Sequence, residues 1–356
     1  MERNAEMAVE RHELVPGYEI SRLLRGGWQL AGGHGPVDRE RAIADMAAFV
    51  DHGVTTFDCA DIYTGAEEMI GEFRVRFGRE RGKAALRPLK VHTKFVPDWD
   101  KLAHVDRGYI EGIIDRSLQR LKTERLDLVQ FHWWNYAVPG ATDAALILRE
   151  LQQAGKIDRI GATNFDTPHT KALIEAAVPL VSMQIQYSLL DPRAENGLVQ
   201  LAREKGFGLL CYGTLAGGFL TDAWLNKPEP ADGTLTNRSL IKYKLIIDDF
   251  GGWDLFQELL TVLDAVARRH GVTIAAVAGR WMLDRPSVAG IIVGARYADH
   301  LAADLKIFEV QLDAADRAAI DQVLARRQGP RGDTFELERD RDGRHGRIMK
   351  YNLNAT

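Results

Sequence analysis

Cysteine is nearly absent: 356 residues contain two, Cys59 and Cys211. They fall in separate β-rich segments, so a disulfide framework is not expected, and the default compartment is a reducing cytoplasm. Long apolar runs are also missing. None approaches the ~18 residues of a membrane span, and the polar start MERNAEMAVERHE does not read as a signal peptide. Charge of one sign is lacking too. Forty-six basic against fifty acidic residues leave a net charge of −4, without the basic stripe that nucleic acid or an anionic membrane would require. The Gly-rich G-x-G-x-x-G fingerprint does not follow the first strand candidate, which argues against a dinucleotide site of the doubly wound type.

What is present is an alternation. Short β-rich segments at residues 24–30, 55–59, 90–94, 128–132, 159–163, 181–186, 208–212 and 290–293 are separated by amphipathic helical stretches. Residues 107–121 illustrate the latter, with Ile110, Ile113, Ile114 and Leu118 on one face. Eight strand-and-helix units predict a closed (β/α)8 barrel of one domain. Its expected limits are residues 18–327, after an amino-terminal extension at 1–17 and before a charged carboxy-terminal tail at 328–356. Residues 221–252, between strands seven and eight, are rich in Pro, Gly, Asp and Asn and predict a long loop on the active-site face. A lid and a mobile surface insertion are equally compatible with that composition. The tail, dense in charge and glycine, has the composition of a solvated or disordered segment, although Phe335, Leu337, Ile348, Met349 and Tyr351 offer apolar anchors that leave docking open.

Chemistry concentrates at strand ends, where a barrel builds its active site. The stretch VTTFDCADIYTGAEE ends a strand on Asp58 and brings Tyr63 five residues later; LKVHTKF ends on Lys94, and LDLVQFHWW places His132. Taken singly these are a loop cap, a packed aromatic, a solvated charge and a core-edge histidine. Taken together they resemble the Asp, Tyr, Lys and His tetrad of the aldo-keto reductases, and the resemblance runs from about Tyr18 to Ala325. An ammonium beside a phenol would lower the phenol's pKa from near 10, with the carboxylate fixing the ammonium, and His132 would hydrogen-bond the carbonyl oxygen of a substrate.

The resemblance implies an NAD(P)(H)-dependent oxidoreductase interconverting an aldehyde, ketone or aldose with its alcohol, Tyr63 being the general acid and base. It assigns Thr163, Asn164 and Gln184 to the nicotinamide carboxamide, and Tyr212 to stacking on that ring. Gly213, Thr214, Leu215, Gly217 and Gly218 follow as the pyrophosphate loop. Gly294, Ala295, Arg296, His300 and Asp304 form the adenosine end. Ala303 and Asp304 depart from the Glu-Asn pair of many members, while Arg296 favours NADP(H) over NAD(H). Trp28 and Trp133 match aromatic positions near the substrate pocket. No metal, nucleic acid or membrane partner is expected. Two alternatives compete: a nicotinamide-binding regulatory subunit that senses redox state, and a metal-dependent barrel hydrolase, for which only His132 and Asp58 are well placed.

Overall fold

The computed structural model describes residues 9–231 and 233–354. Residues 1–8 of the expected extension therefore lie outside the described residues. Two short strands, β1 (Arg11–Val15) and β2 (Tyr18–Ser21), pair antiparallel around Gly17, which takes a φ of 78° that a side chain would resist. Eight parallel strands follow: β3 (Leu23–Gly26), β4 (Thr56–Asp58), β5 (Lys90–Phe95), β6 (Leu126–Phe131), β7 (Ile157–Thr163), β8 (Leu180–Gln186), β9 (Gly208–Tyr212) and β10 (Val288–Gly294). They close in the order β10-β3-β4-β5-β6-β7-β8-β9. The strands are buried on both faces, which is why they read as aliphatic runs rather than as strict alternation.

The hairpin serves the barrel from below. Leu14, Tyr18 and Ile20 pack with Leu24, Leu128, Val181, Leu210 and Ile292 into an apolar cluster of their own, at the end opposite the chemistry. Helices cover the outside. The longest, Gly252–His270, buries Leu255, Phe256, Leu259, Leu260 and Leu263 on one stripe and stops at Gly271 in the left-handed conformation.

One expectation is corrected and one open alternative is decided. Residues 221–252 are not merely a loop, because Arg238–Phe250 forms a helix capped by the Asn237 side chain, which accepts from the Ser239 and Leu240 amides. Tyr243, Ile246, Ile247 and Phe250 recur at helical spacing and are all buried. The tail is docked, the alternative its apolar anchors left open. Phe335 is buried, and Glu338 and Arg193 form a buried ion pair at 2.8 Å. Arg339 donates to the carbonyls of Trp133, Trp134 and Asn164 and to the Tyr136 hydroxyl. Farther on, the Tyr351 ring lies 5.0 Å from Trp134 and 5.3 Å from Trp99. Thus the tail crosses the carboxyl ends of the strands as a strap, held by paired charges and aromatic contacts that composition alone does not reveal.

Candidate active site

Strand register builds the floor of the site. Asp58, last residue of β4, lies beside Gly26 of β3 and His92 of β5, and Lys94 lies beside Gln130 of β6. Both side chains point inward, and Lys94 Nζ donates to Asp58 Oδ2 and to the Cys59 carbonyl, each at 2.8 Å. The other Asp58 oxygen accepts from Gln130 Nε2 at 2.9 Å and Gln184 Nε2 at 2.6 Å. Every carboxylate oxygen is thus satisfied in a site that water barely reaches, as a buried charge requires. Burial opposes the Lys94 charge, but Asp58 outweighs it and holds the ammonium above its ordinary range.

Tyr63 stands over this pair. Its ring centroid is 4.9 Å from Lys94 Nζ and 4.8 Å from the Trp28 ring. The expected fall in the phenol's pKa is not found. Burial raises it, Lys94 opposes the rise, and the Asp58 charge that secures the ammonium also cancels part of its influence. Tyr63 is therefore held as the neutral phenol, a proton donor.

His132 follows β6 and is buried. Its Nδ1 lies 3.0 Å from the Thr163 carbonyl oxygen. A carbonyl only accepts, so Nδ1 carries the proton, and in the neutral ring Nε2 is a lone pair. That atom is buried without a partner. Burial first, then the Arg339 guanidinium, push the imidazole down to about 3, so it does not gain a second proton near neutrality. The expectation that His132 donates to a carbonyl oxygen is thereby corrected: Nε2 accepts.

A cavity of about 1020 Å³ opens above these groups and is lined by all four. Thr163, Asn164, Gln184 and Tyr212 line it as well, at the ends of β7, β8 and β9. Tyr212 Oη donates to Asn164 Oδ1 at 2.8 Å, which turns the Asn164 amide nitrogen toward other acceptors, while Gln184 has spent its amide nitrogen on Asp58 and Gln130 and keeps its carbonyl oxygen. One free donor and one free acceptor suit a carboxamide. Gly213, Thr214, Leu215, Gly217 and Gly218 line the next part of the cavity, with φ of 71°, 65° and 107° at the three glycines. A Cβ on Gly213 would collide with Tyr243 Oη, so this loop and helix Arg238–Phe250 touch backbone to ring. Thr214 Oγ1 is buried there without a partner, as a hydroxyl awaiting a phosphate oxygen would be.

Gly294, Arg296, His300 and Asp304 line the far end. Arg296 donates to the carbonyls of Pro36 at 3.0 Å and His34 at 2.8 Å, leaving the rest of its five N–H donors unspent. Burial lifts the Asp304 carboxyl to about 7. Ala295 is buried and takes no part in the lining. Trp28 lines the cavity from a short 3-10 turn, Trp28–Ala31, rather than from the strand expected through residue 30. Trp133 does not line it. That ring is buried beneath the surface, its Nε1 donating to the carbonyls of Asn135 and Val138, and Trp134 faces the cavity instead, 4.3 Å from His132 and edge-on. Among the described residues no group of three or more His, Cys, Asp or Glu side chains is gathered as metal ligands would be.

Residues 22–325 match the sequence profile of the aldo/keto reductase family. The chain belongs to that family. Aldo-keto reductase YhdN of Bacillus subtilis is 30% identical over 324 residues, a match covering 86% of this chain and 91% of the relative. An NADH-specific methylglyoxal reductase of Escherichia coli is 26% identical over 331 residues, covering 85% and 94%. In fold the chain resembles a glycerol dehydrogenase of Gluconobacter oxydans, with a TM-score of 0.74 at 24% identity over 92% of this chain and 98% of that one. This aldo-keto reductase is accordingly an oxidoreductase of carbonyls and alcohols with a nicotinamide cofactor.

Several site residues escaped the sequence reading: Trp134, Arg238, Lys242 and Phe335 line the cavity, and Gln130 holds Asp58 beneath it. For two of them a signal existed. Side chains alternate along a strand, so Leu128, Gln130, His132 and Trp134 share the inward face of β6 and its extension. The others are brought in by the helix and the strap, which no strand pattern announces.

Proposed function

We propose that this aldo-keto reductase interconverts a carbonyl and its alcohol with NADP(H) in preference to NAD(H), Tyr63 being the general acid and base. The observation that carries the reading is the buried Lys94–Asp58 pair beneath Tyr63, on the floor of a cavity of about 1020 Å³. Asn164 and Gln184 would hold the carboxamide, Tyr212 would stack on the nicotinamide, and Thr214 with Gly213, Gly217 and Gly218 would take the pyrophosphate. Arg296 would meet the 2′-phosphate; its unspent donors favour the phosphorylated cofactor, although one relative is named for NADH. The bound cofactor supplies hydride to the carbonyl carbon, or removes it from the carbinol.

In reduction, Tyr63 Oη donates its proton to the carbonyl oxygen as negative charge develops there. Lys94, charged and fixed by Asp58, then stabilises the phenolate left behind. In oxidation the phenolate takes the carbinol proton back. His132 Nε2, an acceptor, orients a substrate hydroxyl: the carbinol itself, or a hydroxyl adjacent to the carbonyl. Trp28 beside Tyr63 and Trp134 beside His132 add flat aromatic faces to the cavity, and the burial of Lys94 and Asp58 strengthens the interaction between them.

A panel of aldehydes, ketones and aldoses assayed at 340 nm with each cofactor tests the reading. Turnover with NADPH on hydroxyaldehydes is expected; oxidation of neither NADPH nor NADH by any member of the panel would overturn it.

A further inference from the structure

Helix Arg238–Phe250 presents Lys242 to the cavity. The ammonium makes no hydrogen bond and no ion pair with any described residue; what surrounds it is aromatic. Nζ lies 5.1 Å from the Tyr212 ring, 5.6 Å from Tyr243 and 5.9 Å from Phe335. Phe335 in turn meets His132 edge-on at 5.6 Å, so one ring separates Lys242 from the catalytic imidazole.

The nearby acids are already used. Asp191 takes Arg193 Nε and Nη2 at 2.9 and 2.7 Å, and Glu338 takes Nη1 and Nη2 at 2.8 and 3.0 Å. Gln186 caps the same Asp191 at 2.7 Å. These carboxylates sit close enough to influence the Lys242 charge but leave its three N–H donors without an acceptor. Ring faces offset part of the desolvation. An anion entering the cavity would complete it.

We propose that Lys242 is an anion-recognising residue of the substrate pocket, so that the preferred carbonyl substrates carry a carboxylate or phosphate a few bonds from the reacting carbon. The inference rests on the function proposed above and narrows its substrate class. His132 and Lys242 Nζ lie 5.6 and 5.9 Å from the Phe335 ring, so the reacting carbonyl and the anionic group of such a substrate would be placed around that ring. Arg238, one helical turn earlier on the same face, lies over Trp28 at 5.3 Å and so serves the other wall.

The test compares kcat/KM for matched pairs: 4-oxobutanoate against butanal, and glyceraldehyde 3-phosphate against glyceraldehyde, in wild type, Lys242→Met and Lys242→Arg. Wild type is expected to favour the anionic member of each pair. Lys242→Met should collapse the anionic-to-neutral ratio by about 10- to 100-fold, the worth of one charge-assisted hydrogen bond, chiefly through KM. Lys242→Arg should restore most of it. Three results would overturn the idea: no anionic preference in wild type, an equal loss on both members of a pair, or a ratio unchanged while NADPH affinity falls, which would assign the ammonium to the cofactor. Succinate, which has no aldehyde or ketone to reduce, separates this inference from the proposed function. If no substrate turns over but succinate protects wild type and not Lys242→Met in a thermal shift, the function falls and the anion site stands; succinate ignored by wild type removes the site.

Discussion

Replacing Glu338 by glutamine tests whether the strap is held by charge. In the folded protein Glu338 is buried beside Arg193. Burial alone would raise its pKa, but the Arg193 guanidinium outweighs burial and brings it from 4.5 to about 2. That fall corresponds to about 3 kcal/mol of stabilisation, at the lower end of the ~3–5 kcal/mol lost when one partner of a buried ion pair is removed. The low figure is reasonable because Arg193 keeps Asp191. A folded-state pKa below the unfolded one means the stabilisation is complete above about pH 4.5 and disappears as pH falls through about 2. Wild type should therefore loosen its strap on acidification over that window, and Glu338→Gln should be loose already at pH 7, with little further response attributable to this site. Hydrogen exchange over residues 334–351, at pH 7 and pH 3, reads the effect directly. Turnover should fall with it, since Phe335 leaves His132 when the strap lifts. Wild-type exchange in the variant at pH 7 would refute the reasoning.

Other outcomes follow from the site. Tyr63→Phe should lower kcat by ~10²–10⁴-fold while cofactor affinity by fluorescence titration is kept; near-normal turnover would remove Tyr63 from the acid role. Arg296→Ala should weaken NADPH binding by about 10- to 100-fold and spare NADH, and equal losses would contradict a 2′-phosphate contact. With the His132 imidazole pushed to about 3 by burial and Arg339, the pH profile of kcat/KM should carry no inflection from it between pH 5 and 8. Nitrogen NMR on labelled histidine should find its proton on Nδ1, and a proton on Nε2 would overturn the acceptor role. Gly213→Ala should cost about 1–3 kcal/mol of stability and weaken cofactor binding, because a φ of 71° resists a side chain and the new Cβ meets Tyr243 Oη; an unchanged melting temperature would show that the loop yields freely.

Much of the barrel was legible because its signals are local. An aliphatic run with a polar residue at its carboxyl end states strand, direction and candidate chemistry together, and Asp58, Lys94 and His132 each sit at such an end. The alternation with amphipathic helices then permits little but a closed parallel barrel. The helix Arg238–Phe250 was missed, although Asn237 as a cap and the spacing of Tyr243, Ile246, Ile247 and Phe250 signal it, because the polar stretch before it dominates the composition of the segment.

What only the tertiary structure decided is which groups share an environment. Alternation turns Trp134 to the same side as His132, but only the packing shows that Trp134 meets the cavity while Trp133 is enclosed beneath it, its Nε1 donating to the carbonyls of Asn135 and Val138. The phenol of Tyr63 was expected to be acidified by Lys94, yet burial, helped by Asp58, reverses the sign, a balance that depends on surroundings rather than on residue types. The proton of His132 is assigned by a backbone carbonyl 31 residues away, at Thr163. And the charged tail reads as solvent-loving until Arg193, 145 positions from Glu338, is seen to meet it inside the protein. Periodicity and strand ends are written residue by residue along the chain, whereas pairing, burial and electrostatic sign belong to contacts between distant segments, which exist only once the barrel has closed.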